Sequence, residues 1–212
     1  EIKTSSRLVN ERCLKMSDKT KTNTSFFSKP NLEGYATSAA SPPTGQVDDQ
    51  GRFLCGDLNI RIDREGTWFY NGTPIGRKEL VRLFSSVLHK DHDDCYWLVT
   101  PAEKGKIIVE DAPFMAVELS VTGHGEKQSL NFRTNIDEIV QASLTHPLRF
   151  LVNPETGEPS PYILVRENLE AKLTRSVFYQ LVDLGVEQWV LNKHKFGVWS
   201  NGKFFEIGQL SQ

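Results

Sequence analysis

The sequence predicts an α+β protein with two related halves, each an amphipathic helix packed on an antiparallel sheet. Three observations support this prediction. Short stretches of alternating apolar and polar residues are separated by turn sequences, as in antiparallel sheets. Two other segments repeat apolar residues at spacings of three and four, which is typical of helices with one buried face. Each helical segment is followed by a tryptophan-containing strand, so the order of elements repeats.

The first strands precede the first helix. Residues 58–62 (LNIRI) alternate between apolar and polar, which predicts a half-buried strand. A second strand is expected at 67–71, followed by a type I′ turn, because Asn71-Gly72 tolerates the two positive φ angles that this turn needs. The same pair recurs at Asn201-Gly202 within a second G-x-W sequence, which predicts a closing hairpin. We interpret the two G-x-W hairpins as convergent turn chemistry, because one precedes its helix and the other follows it.

Helical periodicity occurs twice. The first helix is predicted from Arg77 to Lys90, with its apolar face formed by the leucines, valines and Phe84. The second is predicted from Thr174, a suitable N-cap, to Leu184, with Gly185 following it. These helices lead to the strands around Trp97 and Trp189 respectively. Whether the helix-centred unit is a duplication stays open at this point.

The rest of the chain divides by composition and turn signals. Further strands are expected at 96–100, 107–110, 115–121, 128–133, 148–152, 162–166 and 188–192. We divide the chain into a flexible basic and polar segment (1–51), an N-terminal α+β half (52–122) and a C-terminal α+β half (123–212). The first segment lacks a hydrophobic period, so it buries too little apolar surface to offset the entropy cost of ordering it.

Composition excludes several classes of protein. The formal charge of −2 and the pI near 6.3 give the chain no net positive charge that would attract the phosphates of a nucleic acid. No apolar run approaches the ~18 residues that a membrane span requires. Three cysteines are an odd count at spacings unlike a disulfide framework, so reduced thiols are expected. Together with the absence of a signal-peptide core, this predicts a cytoplasmic protein.

Five motifs together resemble a known bacterial family. They are GxWxxxGxPIxR at 66–77, LVRLFSSVL at 80–88, YWLVTPAEKGKIIVEDAPF at 96–114, NFRTN at 131–135 and PYILVR at 161–166. The chain resembles the family catalogued as domain of unknown function 1285 over residues 42–210. This resemblance implies an α+β architecture of two related halves, each a helix against a curved antiparallel sheet. It implies no established activity or catalytic residue, and it suggests a role in regulation or signalling.

Catalytic, cofactor and metal motifs are not recognised. The sequence has no GxSxG nucleophile elbow and no glycine-rich phosphate loop. HKDHDDC at 89–95 has the outline of a metal site, but it lacks a second ligand pair. A polar loop after a helix, where His and Lys suit the negative helix end, is the preferred interpretation. We therefore predict no metal, no cofactor and no assigned catalytic residue.

Two features favour a charged binding site. Arg77 follows a Pro-Ile-Gly corner at a helix N-terminus, where a cation is unfavourable unless an anion offsets it. Glu103 and Lys104 are expected in a turn after Pro101, and Asp111 precedes the rigid corner at Pro113. We expect Arg77 to meet Glu103, Asp111 or a bound anion in a cleft between the two halves. Arginines at strand ends should have carboxylate partners. The predicted ligand-binding set is Arg77, Glu103, Lys104, Asp111, Arg133, Tyr162 and Arg166.

Three functional hypotheses follow. The leading one is a non-enzymatic binding or regulatory protein with a charged cleft for a small anionic ligand or a protein partner. The alternative is a hydrolase on an anionic substrate, with Glu103 or Asp111 as general base. A third is a protein–protein adaptor that presents a sheet edge.

Overall fold

The structure is a computed structural model that describes residues 46–154, 157–190 and 193–209. The predictions for the N-terminal tail up to residue 45 therefore lie outside the described residues. The chain forms two compact units. The N-terminal unit comprises the described residues up to Asp63 and Thr67–Glu110, and the C-terminal unit comprises Arg64–Gly66 and the residues from Asp111 onward. The predicted α+β class is confirmed, since strands predominate and two α-helices are present in the described residues.

The N-terminal unit contains one six-stranded sheet and one helix. Its elements are β1 (Phe53–Ile62), β2 (Trp68–Tyr70), β3 (Thr73–Pro74), α1 (Lys78–Ser86), β4 (Leu88–Lys90), β5 (Tyr96–Val99) and β6 (Glu103–Val109). The strand order is β3-β2-β1-β6-β5-β4. All neighbours are antiparallel except β1 and β6, which are parallel. A parallel pair needs a long crossover, which β2 to β5 and α1 supply together.

Local sequence patterns predicted much of this unit. Leu58, Ile60 and Ile62 are buried along β1, as their alternation predicts. Asn71 and Gly72 have φ angles of 48° and 79°, as a type I′ turn requires. These elements agree with prediction because each depends on neighbouring residues rather than on distant contacts.

The first helix is shorter than predicted. α1 ends at Ser86, and Leu88–Lys90 form β4 instead of a last helical turn. Leu88 lies opposite Leu98 in β5 and is 2% exposed, so strand pairing uses an apolar residue that also fits the helical period. Leu83 was expected on the buried face but is 61% exposed. The buried helix positions are Val81 and Ser85.

Two other predictions for this unit were wrong. Glu103 and Lys104 lie in β6 rather than in a turn, because Glu103 already pairs with Phe53 of β1. Cys95 is disulfide-bonded, so the prediction of reduced thiols fails there. Cys55 is not disulfide-bonded, and its Sγ lies 3.8 Å from the Phe53 carbonyl oxygen.

The C-terminal unit contains two sheets and one helix. The first sheet is formed by β7 (Phe114–Thr122), β8 (Ser129–Thr134), β9 (Ile139–Gln141), β10 (Leu148–Val152), β11 (Pro159–Arg166) and β12 (Leu169–Leu173). Its order is β10-β11-β12-β7-β8-β9, and β12 and β7 are parallel. α2 (Arg175–Asp183) then leads to a three-stranded antiparallel sheet of β13 (Val186–Val190), β14 (Lys193–Ser200) and β15 (Lys203–Gln209).

The second helix and the closing hairpin agree with prediction. Thr174 is the N-cap residue of α2, and Val177 and Leu181 are its buried positions. A Cβ atom on Gly185 would lie 2.1 Å from the Phe196 ring, so glycine is needed there for close packing. Strands β9 and β12 were not predicted. Neither described helix is long and apolar enough to cross a membrane.

The helix-centred unit occurs twice with the same order. In each case a helix is followed by three antiparallel strands in sequence order, β4-β5-β6 after α1 and β13-β14-β15 after α2. The two tryptophans do not correspond, however. Trp97 lies in the second strand after its helix, and Trp189 lies in the first. The two residues are therefore not at equivalent positions, although both follow a helix in the sequence.

Candidate functional site

Three polar side chains lie side by side across β10, β11 and β12. Tyr162 of β11 is directly opposite Arg149 of β10 and Lys172 of β12. Side chains of a strand alternate between faces, so residues opposite one another share a face. The neighbouring Ile163 and Ala171 are fully buried on the other face. Arg149, Tyr162 and Lys172 therefore lie together on the more exposed face of this sheet.

Asp111 connects two members of this row. The Tyr162 hydroxyl donates to Asp111 Oδ1 at 2.8 Å, and Lys172 Nζ donates to Oδ2 at 2.6 Å. Asp111 precedes β7, and β7 pairs with β12, so the order of the sheet brings this carboxylate beside Lys172. Both carboxylate oxygens thus accept a charge-assisted or phenolic hydrogen bond.

Glu170 holds the third member. It lies two residues before Lys172 on β12, on the same face. Arg149 donates from Nε to Oε1 at 2.8 Å and from Nη2 to Oε2 at 2.5 Å, a bidentate geometry that fixes the guanidinium plane. The guanidinium carbon lies 4.7 Å from the centroid of the Tyr162 ring, within cation–π range. We call Arg149, Tyr162, Lys172, Asp111 and Glu170 the Tyr162 network.

The protonation states of the network follow from its surroundings. Burial raises the pKa of Tyr162, and the negative charge of Asp111 and the hydrogen bond to it raise that pKa further. The hydrogen bond to Glu170 raises the pKa of Arg149. Tyr162 therefore remains a hydrogen-bond donor and Arg149 remains charged throughout the physiological pH range.

Both cations keep donors that no protein group among the described residues uses. A guanidinium has five N–H donors, and Glu170 accepts two of those of Arg149. An ammonium has three, and Asp111 accepts one of those of Lys172. In the described part of the chain the remaining donors have no protein acceptor. The Arg149 side chain is 44% exposed and that of Glu170 only 25%, so the cation is the more accessible partner.

The structure distributes the predicted site residues over both units. Asp111 and Tyr162 are in direct contact in the C-terminal unit. Arg133 and Arg166 lie in the same unit, and each has the carboxylate partners expected of it. Arg133 pairs with Glu118 and Asp137, and Arg166 pairs with Glu138.

The other three predicted residues belong to the N-terminal unit. Arg77 is the N-cap residue of α1, is exposed, and forms no ion pair with Glu103 in the described residues. Glu103 lies in β6 opposite Phe53 of β1, and the contact of Arg77 with Asp111 or a bound anion remains a prediction. Lys104 places its ammonium 4.3 Å from the centroid of the Trp97 ring. A role for Arg77 in ligand binding stays a prediction.

Sequence reasoning did not include Arg149, Glu170 or Lys172 in the set. Lys172 did carry a signal, because a cation just before a predicted helix needs a compensating carboxylate, and Asp111 is that carboxylate. The sequence contains no signal for Arg149 and Glu170, because their pairing becomes evident only from the register of β10, β11 and β12. The pairing of residues 21 positions apart depends entirely on that register.

The HKDHDDC segment is a structural turn. Asp91 Oδ1 accepts the backbone N–H groups of Asp93 and Cys95, and Oδ2 accepts Trp97 Nε1. Lys90 pairs with Asp94. Among the described residues no group of three or more His, Cys, Asp or Glu side chains is arranged to hold a metal ion.

These features define a two-unit α+β protein with mixed, mainly antiparallel sheets. The model of the N-terminal domain of DUF1285, a domain of unknown function, matches residues 47–112, and the model of the C-terminal domain of DUF1285 proteins matches residues 113–207. The chain belongs to the DUF1285 family. Its division into units between Glu110 and Asp111 lies close to the junction of these models, whereas the sequence suggested a division after residue 122.

Two solved structures are similar to the chain. A DUF1285 family protein from Silicibacter pomeroyi DSS-3 is 46% identical with a TM-score of 0.69, covering 75% of this chain and 84% of that one. A DUF1285 family protein from Shewanella baltica OS155 is 29% identical with a TM-score of 0.47, covering 60% of this chain and 91% of that one. A comparison with curated proteins found no match.

Proposed function

We propose that this chain is a non-enzymatic binding protein of regulatory type, and that the Tyr162 network recognises an anionic group on a small ligand or partner. One observation carries the proposal: Arg149 and Lys172 flank Tyr162 on the more exposed face of this sheet and retain N–H donors that no group among the described residues accepts. A carboxylate or phosphate oxygen is the acceptor that such donors bind most strongly.

Binding is a better match than base catalysis for this geometry. A general base needs an oxygen that is free to take a proton from the substrate. Both oxygens of Asp111 already accept hydrogen bonds, from Tyr162 and Lys172. The carboxylates of the network thus orient the cations, and the cations meet the ligand.

Calorimetric titration with inorganic phosphate and pyrophosphate tests the proposal. Saturable binding is expected, and Arg149→Ala should weaken it about tenfold or more, since a hydrogen bond to a charged group contributes roughly 1.5–3 kcal/mol. Arg149→Lys should recover only part of the loss, because lysine keeps the charge but not the forked donors.

Lys203→Ala is the matched control, because Lys203 is an exposed lysine at the start of β15 in the same unit. It should leave the affinity unchanged. If Lys203→Ala and Arg149→Ala weakened anion binding equally, the loss would reflect general surface charge and would contradict a specific site. The proposal would also be overturned if the wild type bound neither anion.

A further inference from the structure

Strand β9 ends the first C-terminal sheet, and within the described part of the chain no strand pairs with its outer side. The N–H of Thr134 donates to the carbonyl of Glu138 at 2.8 Å, and the N–H of Ala142 donates to that of Leu130 at 2.9 Å. In an antiparallel ladder, residues bonded to the neighbouring strand alternate with residues that point away from it. Ile139 and Gln141 therefore direct their backbone N–H and C=O groups away from β8.

A groove of about 580 Å³ runs beside this edge. Its apolar lining includes Val140, Leu144 and Val165. The one formally charged residue in the lining is Glu138. His146 also lines it, and its Nδ1 donates to the Leu164 carbonyl at 3.1 Å, which leaves Nε2 as an acceptor. The groove thus combines an apolar wall with acceptors and no unpaired donor cation.

The edge also exposes apolar side chains. Ile139 is 70% exposed and Leu144 is 77% exposed. Protected edge strands usually carry lysine, proline or a bulge that prevents further pairing. The three residues of β9, Ile-Val-Gln, include none of these protecting residues.

We propose that the β9 edge binds an extended peptide of a protein partner, which adds a strand to this sheet and inserts every second side chain into the groove. Outward backbone N–H and C=O groups at alternate residues are complementary to an extended backbone and to no compact ligand. This site is separate from the Tyr162 network, since it uses a different edge and different side chains.

The surrounding charges indicate a basic peptide. In the ion pairs of the described residues at this end of the sheet, three carboxylates, those of Glu118, Asp137 and Glu138, contact two cations, Arg133 and Arg166. The excess of one negative charge favours Lys or Arg on the peptide. Apolar residues at the alternate positions would cover Ile139 and Leu144. The peptide chemistry is therefore an alternation of basic and apolar residues.

A fluorescein-labelled peptide of about seven residues, alternating Lys and Val with blocked ends, is the probe. Saturable fluorescence anisotropy is expected on titration with the full chain. The same peptide with N-methylated valines keeps its charge and side chains but loses half of its backbone donors, and should bind at least about tenfold more weakly. A Glu/Val peptide should also bind more weakly, because it reverses the charge.

Ile139→Pro removes one outward N–H without removing a bond to β8, so the fold should tolerate it. It should abolish peptide binding. Val152→Pro is the matched control on β10, the opposite edge strand of this sheet. The N–H of Asn153 donates to the Glu158 carbonyl, so the backbone groups of Val152 point outward in the same way. This control should leave binding unchanged.

Three results would overturn the proposal. One is equal binding of the N-methylated and unmodified peptides, a result that does not depend on any variant folding. Another is equal loss of binding in Ile139→Pro and Val152→Pro. The third is a concentration-dependent dimer of the wild type, measured by light scattering, that Ile139→Pro converts to monomer, since a second copy would then occupy the edge.

Discussion

Each unit carries an aromatic side chain whose polar tip donates to an aspartate. In the N-terminal unit, Trp97 Nε1 donates to Asp91 Oδ2 at 2.7 Å. In the C-terminal unit, the Tyr162 hydroxyl donates to Asp111 Oδ1 at 2.8 Å. Satisfying the polar tip in this way allows a large aromatic ring to be half-buried, as Trp97 is, or buried, as Tyr162 is.

The cations around the two rings also correspond. Lys104 lies over the ring of Trp97 and Arg149 over the ring of Tyr162, at 4.3 and 4.7 Å from the centroids. A lysine lies directly opposite each aromatic residue on the neighbouring strand, Lys106 in β6 and Lys172 in β12. We call Trp97, Asp91, Lys104 and Lys106 the Trp97 cluster.

The two clusters differ in where their charges lie. Lys106 is only 9% exposed, and burial lowers its pKa although Asp57 and Asp91 oppose the change. The side chain of Lys172 is 27% exposed and bonded to Asp111. Asp91 uses its second oxygen on backbone N–H groups of its own turn, whereas Asp111 holds two side chains from other strands. An aromatic ring, an aspartate and two cations thus stabilise a turn in the N-terminal unit, whereas the same groups leave cations accessible in the C-terminal unit.

The largest expected difference concerns the two aspartates. Asp111→Ala removes the acceptor of two side-chain donors at once and should lower the free energy of unfolding by about 3 kcal/mol. Asp91→Ala should cost about 1 kcal/mol, because water can reach the donors of an exposed turn. Urea denaturation measures both, with exposed Asp183→Ala as the control for removing a carboxylate. Equal costs for Asp111→Ala and Asp91→Ala would show that both clusters have the same structural role.

The two lysines should respond with opposite sign. Near neutral pH, Lys172→Met leaves Asp111 without its cation and should lower the free energy of unfolding by about 1–2 kcal/mol. Lys106→Met replaces a buried charge with an apolar side chain and should raise that free energy by about 1 kcal/mol.

The pH dependence distinguishes this gain from simple packing. A lysine whose folded pKa is lowered contributes stability above its unfolded pKa of 10.5 and loses it as the pH falls through the folded value. The gain from Lys106→Met should therefore be present at neutral pH, shrink as the pH rises through the lowered folded pKa, and be absent above about pH 10.5. A gain that stays constant over this range would contradict the assignment.

Local patterns predicted the elements that neighbouring residues determine. The alternation of β1, the Asn71-Gly72 turn and the length of α2 were all readable from short stretches. The end of α1 was not, because Leu88 satisfies both a helical period and a strand pair with Leu98. Only the tertiary pairing decides between these two structures.

The candidate site shows the same limit. Asp111 and Tyr162 are both in the predicted set, but the sequence indicates Asp111 through its rigid corner and carries no signal for the hydrogen bond between them. Arg149 and Glu170 were absent from that set, because a cross-strand ion pair depends on register. Residue types can indicate that charges need partners, whereas the identity of the partners follows from the order of strands in the sheet.

The smallest expected effect concerns the titration of Tyr162, which has no counterpart in Trp97. A tyrosine with a raised folded pKa contributes stability that is fully present below its unfolded pKa of 10.0 and is lost as the pH rises toward the folded value. Between about pH 9 and pH 11 the wild type should therefore lose about 1 kcal/mol that Tyr162→Phe does not lose. Tyr179→Phe is the control, because Tyr179 is 59% exposed and should leave the wild-type loss intact. Urea denaturation at the two pH values measures the difference. The same pH dependence of stability in Tyr162→Phe and Tyr179→Phe would contradict this prediction. It would show that burial and the hydrogen bond to Asp111 do not govern the protonation of Tyr162.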